Sequence, residues 1–224
     1  MFMKPMLMVE RKEPFNDQRY IFEPIIDGHR LQLSFVNRKA KLYTMHNNDV
    51  TRQYPELHNV PLVEPADVVL DGEVTYVNPN TGAIEFDTLI ERYKMKKEPR
   101  IREAKKEIPV QFFIFDILYY NGVDMRKRPL LERKKLLGEI LEDNAYYKKL
   151  PFIDGDGTTL FDLVKRSELE GVACKRKDSL YFDGRDESWQ KVINADYAKL
   201  QLAARQARMQ ASDAYSYYRM PQGS

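Results

Sequence analysis

Between Tyr20 and Val36 an apolar run enters a turn at Asp27-Gly28, and Leu31, Leu33 and Phe35 then alternate with Gln32, Ser34 and Val36. Asp-Gly between two strand-like runs is the strongest short-range signal for a β-hairpin. The pattern therefore predicts a hairpin over 20–36, which fixes an antiparallel pair early in the chain. Residues 1–20, with Pro5 and Pro14 as breakers, read as an irregular lead-in.

Further along, Lys41–His46 reads as a short strand closed by an Asn47-Asn48-Asp49 turn. The β-branched run 67–77 is a strand that ends at Asn78–Gly82. Residues 86–95 read as a helix, and the basic stretch 94–106 as helix-prone with a solvated charged face. The nearly continuous apolar run 110–119 is expected to be a buried strand. Asp116 lies inside that run, and a buried carboxylate needs a partner. Pro129 opens a helix in which Leu130, Leu131, Lys134, Leu137 and Leu141 share helical spacing, with Glu132, Arg133 and Lys135 on the surface. A helix over 159–169, a strand over 171–176, a turn at 181–184 and a last strand over 189–193 complete the pattern. No internal repeat is present, and short strands mixed with helices without a regular βαβ rhythm argue an α+β fold with largely antiparallel sheets. Residues 197–211 are helix-prone and 212–224 read as a frayed end, so the expected division is a domain over 1–194 and a tail over 195–224.

Composition bounds the partners only loosely. The 36 Lys and Arg against 34 Asp and Glu leave a net charge of +2, so global charge gives no argument for nucleic acid, although a basic groove balanced by an acidic face stays open. The single cysteine, Cys174, excludes an internal disulfide and fits a reducing compartment. No apolar run approaches the roughly 18 residues of a membrane span. The short apolar N-terminus has no cleavage site of the secretory kind, so a cytoplasmic protein is expected.

Several segments in order resemble the motifs of the ATP-dependent DNA ligases, most closely the small bacterial and phage type. The first motif of these covalent nucleotidyltransferases is Lys-x-Asp-Gly-x-Arg, and here Ile25-Ile26-Asp27-Gly28-His29-Arg30 matches it except at the lysine. Leu70-Asp71-Gly72-Glu73, the run 112–119 with Phe115-Asp116, Glu170-Gly171-Val172 with Lys175, and Trp189-x-Lys191 resemble the later motifs. The resemblance covers roughly 1–194 and implies an α+β nucleotidyltransferase (ATP-grasp-like) domain that uses ATP and Mg²⁺ and acts on nicked duplex DNA, most simply as a monomer. In the family the motif lysine attacks the α-phosphorus of ATP to give lysyl-AMP, and the AMP then passes to the 5′-phosphate of a nick. It implies that Glu23 reads the adenine amino group and Phe115 stacks on the base. Glu73 contacts the ribose or supports the metal, and Glu170 serves the metal. Lys191 clamps the α-phosphate, Arg30 grips the nick phosphate or AMP, and Lys175 lies beside the nucleotide.

Five departures stand against that pattern. Ile25 occupies the nucleophile position, and an alkyl group cannot attack phosphorus. Met45 stands where the family usually has an arginine, and Ile193 where many members have a second lysine. Arg185-Asp186-Glu187-Ser188 does not match the usual Arg-Ser before the tryptophan, and the tail from Ala195 does not resemble the OB-fold that follows in the family. Each lost charge-assisted contact removes on the order of 1.5–3 kcal/mol of phosphate binding. The expectation is a ligase adenylation core that folds but does not self-adenylate. The alternatives are a non-enzymatic module that binds DNA ends or nicks, and an active RNA ligase or capping-type enzyme using another lysine, of which Lys12 is the nearest upstream.

Overall fold

The computed structural model describes residues 1–201 and 203. Two sheets carry the fold. In chain order the strands are β1 (Met6–Arg11), β2 (Asn16–Ile25), β3 (His29–Val36), β4 (Lys39–Thr44) and β5 (Val68–Thr75). After helices α1 (Phe86–Lys94) and α2 (Glu98–Glu107) come β6 (Gln111–Tyr120) and the short β7 (Val123–Asp124). Helix α3 (Leu130–Ile140) precedes β8 (Tyr147–Lys149) and β9 (Ile153–Asp156), and helix α4 (Gly157–Arg166) precedes β10 (Gly171–Arg176) and β11 (Gly184–Ile193). The first sheet has the order β1-β11-β10-β2-β9, and the second β4-β3-β5-β6-β7 with β8 added beside β6. All pairings are antiparallel except β1 with β11 and β6 with β8. This is the expected α+β architecture of largely antiparallel sheets.

The expected hairpin at Asp27-Gly28 is not one. Strand β2 pairs with β10 and β9 in the first sheet, whereas β3 pairs with β4 and β5 in the second. A two-residue hairpin of the favoured type needs positive φ at both central residues, and neither Asp27 nor Gly28 has it. The glycine serves close approach instead: a Cβ at Gly28 would sit 2.3 Å from the carbonyl oxygen of Val74. The two-residue hairpins are at Asn37-Arg38 (φ 52° and 58°), joining β3 to β4, and at Asn121-Gly122 (φ 43° and 89°), joining β6 to β7. The N-terminal twenty residues are likewise not irregular, since they supply β1 and the first half of β2. Pro5 and Pro14 fall just outside these strands, where a missing N–H costs no ladder bond.

Three apolar clusters follow from this layout. One packs the second sheet beneath α1 and α3, through residues such as Leu33, Leu70, Phe112, Leu89 and Leu137. Another packs α4 on the outer face of the first sheet, through Phe22, Val172, Cys174 and Val192 against Phe161 and Val164. The third lies between the sheets and joins Met6 and Ile21 to Val69, Leu118, Leu130 and Trp189. After β11 the chain is helical over 195–201. The remainder of the helix expected to reach 211, and the frayed end over 212–224, lie outside the described residues apart from Ala203. Among the described residues no helix is long and apolar enough to cross a membrane.

Candidate nucleotide site

The register of the first sheet assembles the site. Directly opposed residues of an antiparallel pair share a face, and residues two apart along a strand return to it. Lys175 opposes Ile21 on one side and Trp189 on the other; Ala173 opposes Glu23 and Lys191; Gly171 opposes Ile25 and Ile193. One face therefore carries Glu23, Ile25, Lys175, Trp189, Lys191 and Ile193 together. The opposite face carries the apolar residues that α4 covers. Ile25 and Ile193, the two positions where the sequence resemblance expects lysines, flank Gly171 on a single rung. A Cβ on Gly171 would lie 2.3 Å from the carbonyl oxygen of Val192, so this rung has no room for a side chain at its centre.

The second sheet supplies the opposing wall. A small cavity of about 70 Å³ is lined by Glu23, Ile25, Arg30, Glu73, Phe115 and Trp189, among others. Phe115 and Trp189 pack edge to face there, with ring centres 6.5 Å apart. The Lys175 ammonium lies over both rings, 4.3 Å from the Phe115 centre and 4.1 Å from that of Trp189, and pairs with Oε2 of Glu23 at 2.6 Å. The other oxygen, Oε1, accepts from the ammonium of Lys134 on α3. Glu23 is fully buried and Lys175 only 2% exposed. Burial pulls the Lys175 pKa down, Glu23 pushes it up, and the neighbouring Lys134 lowers it further.

Arg30 is committed elsewhere. Its Nε and Nη2 donate to the two oxygens of Asp71 at 3.2 and 2.8 Å, its Nη1 donates to the Met6 carbonyl at 2.7 Å, and Nη2 also reaches the Tyr181 hydroxyl. The Tyr181 hydroxyl in turn donates to Asp71 at 2.6 Å. Lys191 is half-buried, with its ammonium 3.5 Å from Glu10. Met45 is exposed in the turn after β4 and lines a shallow depression shared with His29, Arg30 and Tyr93. Lys12 is exposed beyond the end of β1 and away from the cavity lining.

Three carboxylates meet at the mouth. Burial raises Glu73 well above the usual glutamate range; Arg30 opposes that, while Glu170, Asp71 and Asp27 add to it. Burial and then Asp27 raise Glu170, and Lys191 opposes them. Asp27 accepts a hydrogen bond from the Tyr197 hydroxyl at 2.5 Å. Among the described residues no three side chains form a ready-made metal-binding group. Glu73 and Glu170 nevertheless offer hard oxygen donors from opposite walls, a donor set suited to an Mg²⁺ that keeps several waters.

Sequence reasoning missed three contributors. Lys134 shares helical spacing with an apolar stripe, and a lysine there is the available signal. The sequence places Arg133 on the surface, but it is fully buried against Asp116. Asp71 stands out in sequence only as part of a motif, not as the carboxylate that holds Arg30.

A cleft between two sheets, with a carboxylate, two lysines and two aromatic rings at its base and further carboxylates at its mouth, is the make-up of a nucleotide-binding site. Residues 5–192 match the model of the ATP dependent DNA ligase domain. The chain belongs to this family. It is 38% identical over 201 residues to the SPbeta prophage-derived DNA ligase-like protein LigB of Bacillus subtilis, covering 89% of this chain and 70% of that protein. It is 30% identical to a DNA ligase of Thermoplasma volcanium over 75% of this chain, but spans only 30% of that protein. Among solved structures, the ligase domain of M. tuberculosis LigD superposes with a TM-score of 0.68 at 26% identity, over 84% of this chain and 58% of that one. A mycobacterial DNA ligase D complexed with ATP and MES gives 0.66 at 25% identity, over 85% and 60%.

Proposed function

We propose that this chain is a ligase adenylation core that takes ATP and Mg²⁺ in the cleft and faces nicked duplex DNA, but forms no lysyl-AMP. The observation that carries the reading is the position of Ile25. It sits on the same sheet face as Glu23, Lys175 and Lys191, at the rung where the family's nucleophilic amine would stand. Covalent catalysis needs a lone pair at that place, and a sec-butyl group has none.

The remaining roles follow the chemistry of each side chain. Glu23 offers an acceptor to the amino group of adenine, and Phe115 a face for the base. Lys175 and Lys191 supply positive charge toward base and phosphate. Glu73 and Glu170 would hold Mg²⁺, which shields the phosphate charge. Arg30 would meet a phosphate only by leaving Asp71, so its contact with a nick is gated by that ion pair. The alternative, a module that only binds DNA ends, gains no added support from the cations it would use. Arg30, Lys175, Arg176 and Lys177 each sit in an ion pair with a carboxylate.

The test is incubation with α-labelled ATP and Mg²⁺ followed by a denaturing gel, on the protein and on Ile25→Lys. Label only on Ile25→Lys is the expected outcome. Label on the unmodified chain would overturn the reading.

A further inference from the structure

We propose that Lys134 is a specificity-determining positioning residue, which holds Glu23 as an acceptor for the exocyclic amino group of a purine and so selects adenine over guanine. The proposal rests on the nucleotide-site reading above and adds to it a residue from outside the sheet that forms the floor.

Lys134 and Lys175 grip the two oxygens of Glu23 from different elements, α3 and β10. Their positions give them different work. The Lys175 ammonium lies over the Phe115 ring, 4.3 Å from its centre, on the face a planar base would need for stacking. A base that stacks on that face enters only if Lys175 withdraws. Lys134 comes from α3, and the ring its ammonium lies over is Phe152, at 5.8 Å, not Phe115. It keeps its contact with Glu23 when the base arrives.

A carboxylate paired with ammonium groups offers lone pairs and no proton. Its unfilled lone pairs welcome the amino group of adenine and repel the carbonyl oxygen that guanine carries at the same ring position. Discrimination of this kind depends on the carboxylate staying fixed, because a free carboxylate would turn away from the repulsive contact. Lys134 supplies the fixed point. Its own placement is secured by Arg133, the preceding residue, whose guanidinium binds Asp116 at 2.7 and 2.9 Å and thereby ties α3 to β6.

The experiment measures ATP and GTP affinities by titration calorimetry in Mg²⁺, for the unmodified protein, Lys134→Met and Lys134→Arg. A hydrogen bond to a charged group is worth about 1.5–3 kcal/mol, which corresponds to at least about tenfold preference for ATP in the unmodified protein. Lys134→Met should bring the ATP-to-GTP ratio close to one, and Lys134→Arg should keep it. A variant that loses affinity for both nucleotides equally, with the ratio intact, marks Lys134 as merely structural and overturns the proposal. Binding of both nucleotides without preference by the unmodified protein also overturns it, while leaving the nucleotide pocket standing. Binding of neither overturns the nucleotide-site reading together with it.

Discussion

Arg133 donates to both oxygens of Asp116, and its third nitrogen, Nη1, donates to the carbonyls of Arg128 and Ser179 at 2.6 and 3.0 Å. Asp116 also accepts from the amide of Ile117 at 2.8 Å. Every strong donor and acceptor of this fully buried pair is thus met, the condition under which a buried ion pair is tolerated. The need of Asp116 for a partner is legible from its apolar surroundings in sequence. The identity of that partner, 17 residues away on a helix, is not, because an arginine among charged neighbours looks like a surface residue until the helix is docked. Removing one member strands the other. Arg133→Met should therefore lower unfolding free energy by about 3–5 kcal/mol, measured by urea denaturation. The double change Arg133→Met with Asp116→Leu should cost less than that single change. Equal stability of Arg133→Met and the unmodified protein would sink this account.

At the scale of elements, strands and helices are readable because each writes its own period into the chain. The run 110–119, the helix opened at Pro129 and the strand 171–176 all fall within a few residues of their expected places. Which strands share a sheet is a long-range matter, and Asp27-Gly28 shows how local chemistry misleads there. The same dipeptide that closes hairpins here passes the chain from one sheet to the other, with the Thr75 hydroxyl donating to the Asp27 carbonyl at 2.9 Å. The site inherits this limit. The motif residues are identifiable one by one, but their common face depends on the β2-β10-β11 register. That register is tightest at Gly171, between Ile25 and Ile193. Gly171→Ala would drive a methyl group into the Val192 carbonyl. It should cost about 1–3 kcal/mol, the usual range for overpacking, and spread the central rung. Thermal unfolding of Gly171→Ala checks this, and an unchanged midpoint would mean that the strands shift apart without cost.

The whole molecule is two sheets closed on a cleft whose mouth concentrates negative charge from both sides. Glu73 comes from the second sheet, Glu170 from immediately before β10, the central strand of the first, and Asp27 from the crossover between them. Burial and neighbouring carboxylates raise both glutamates above the ordinary value of 4.5. A carboxyl whose folded pKa lies above its unfolded one favours folding when protonated. That contribution is fully present below the unfolded value and is lost as pH rises through the folded value. At neutral pH the cleft is therefore a source of instability that Arg30 and Lys191 only partly offset. Glu73→Gln keeps the shape and removes the charge. It should raise the melting midpoint at pH 7.5 by about 2–4 °C, equivalent to about 1 kcal/mol in a domain of this size, with a smaller change at pH 4. Mg²⁺ acts on the same charge, so it should stabilise the unmodified protein at pH 7.5 and do so less in Glu73→Gln. If Glu73→Gln were destabilised to the same degree at both pH values, the side chain would be acting through packing. The cleft would then owe its charge to something other than a site kept open for a cation and its phosphate.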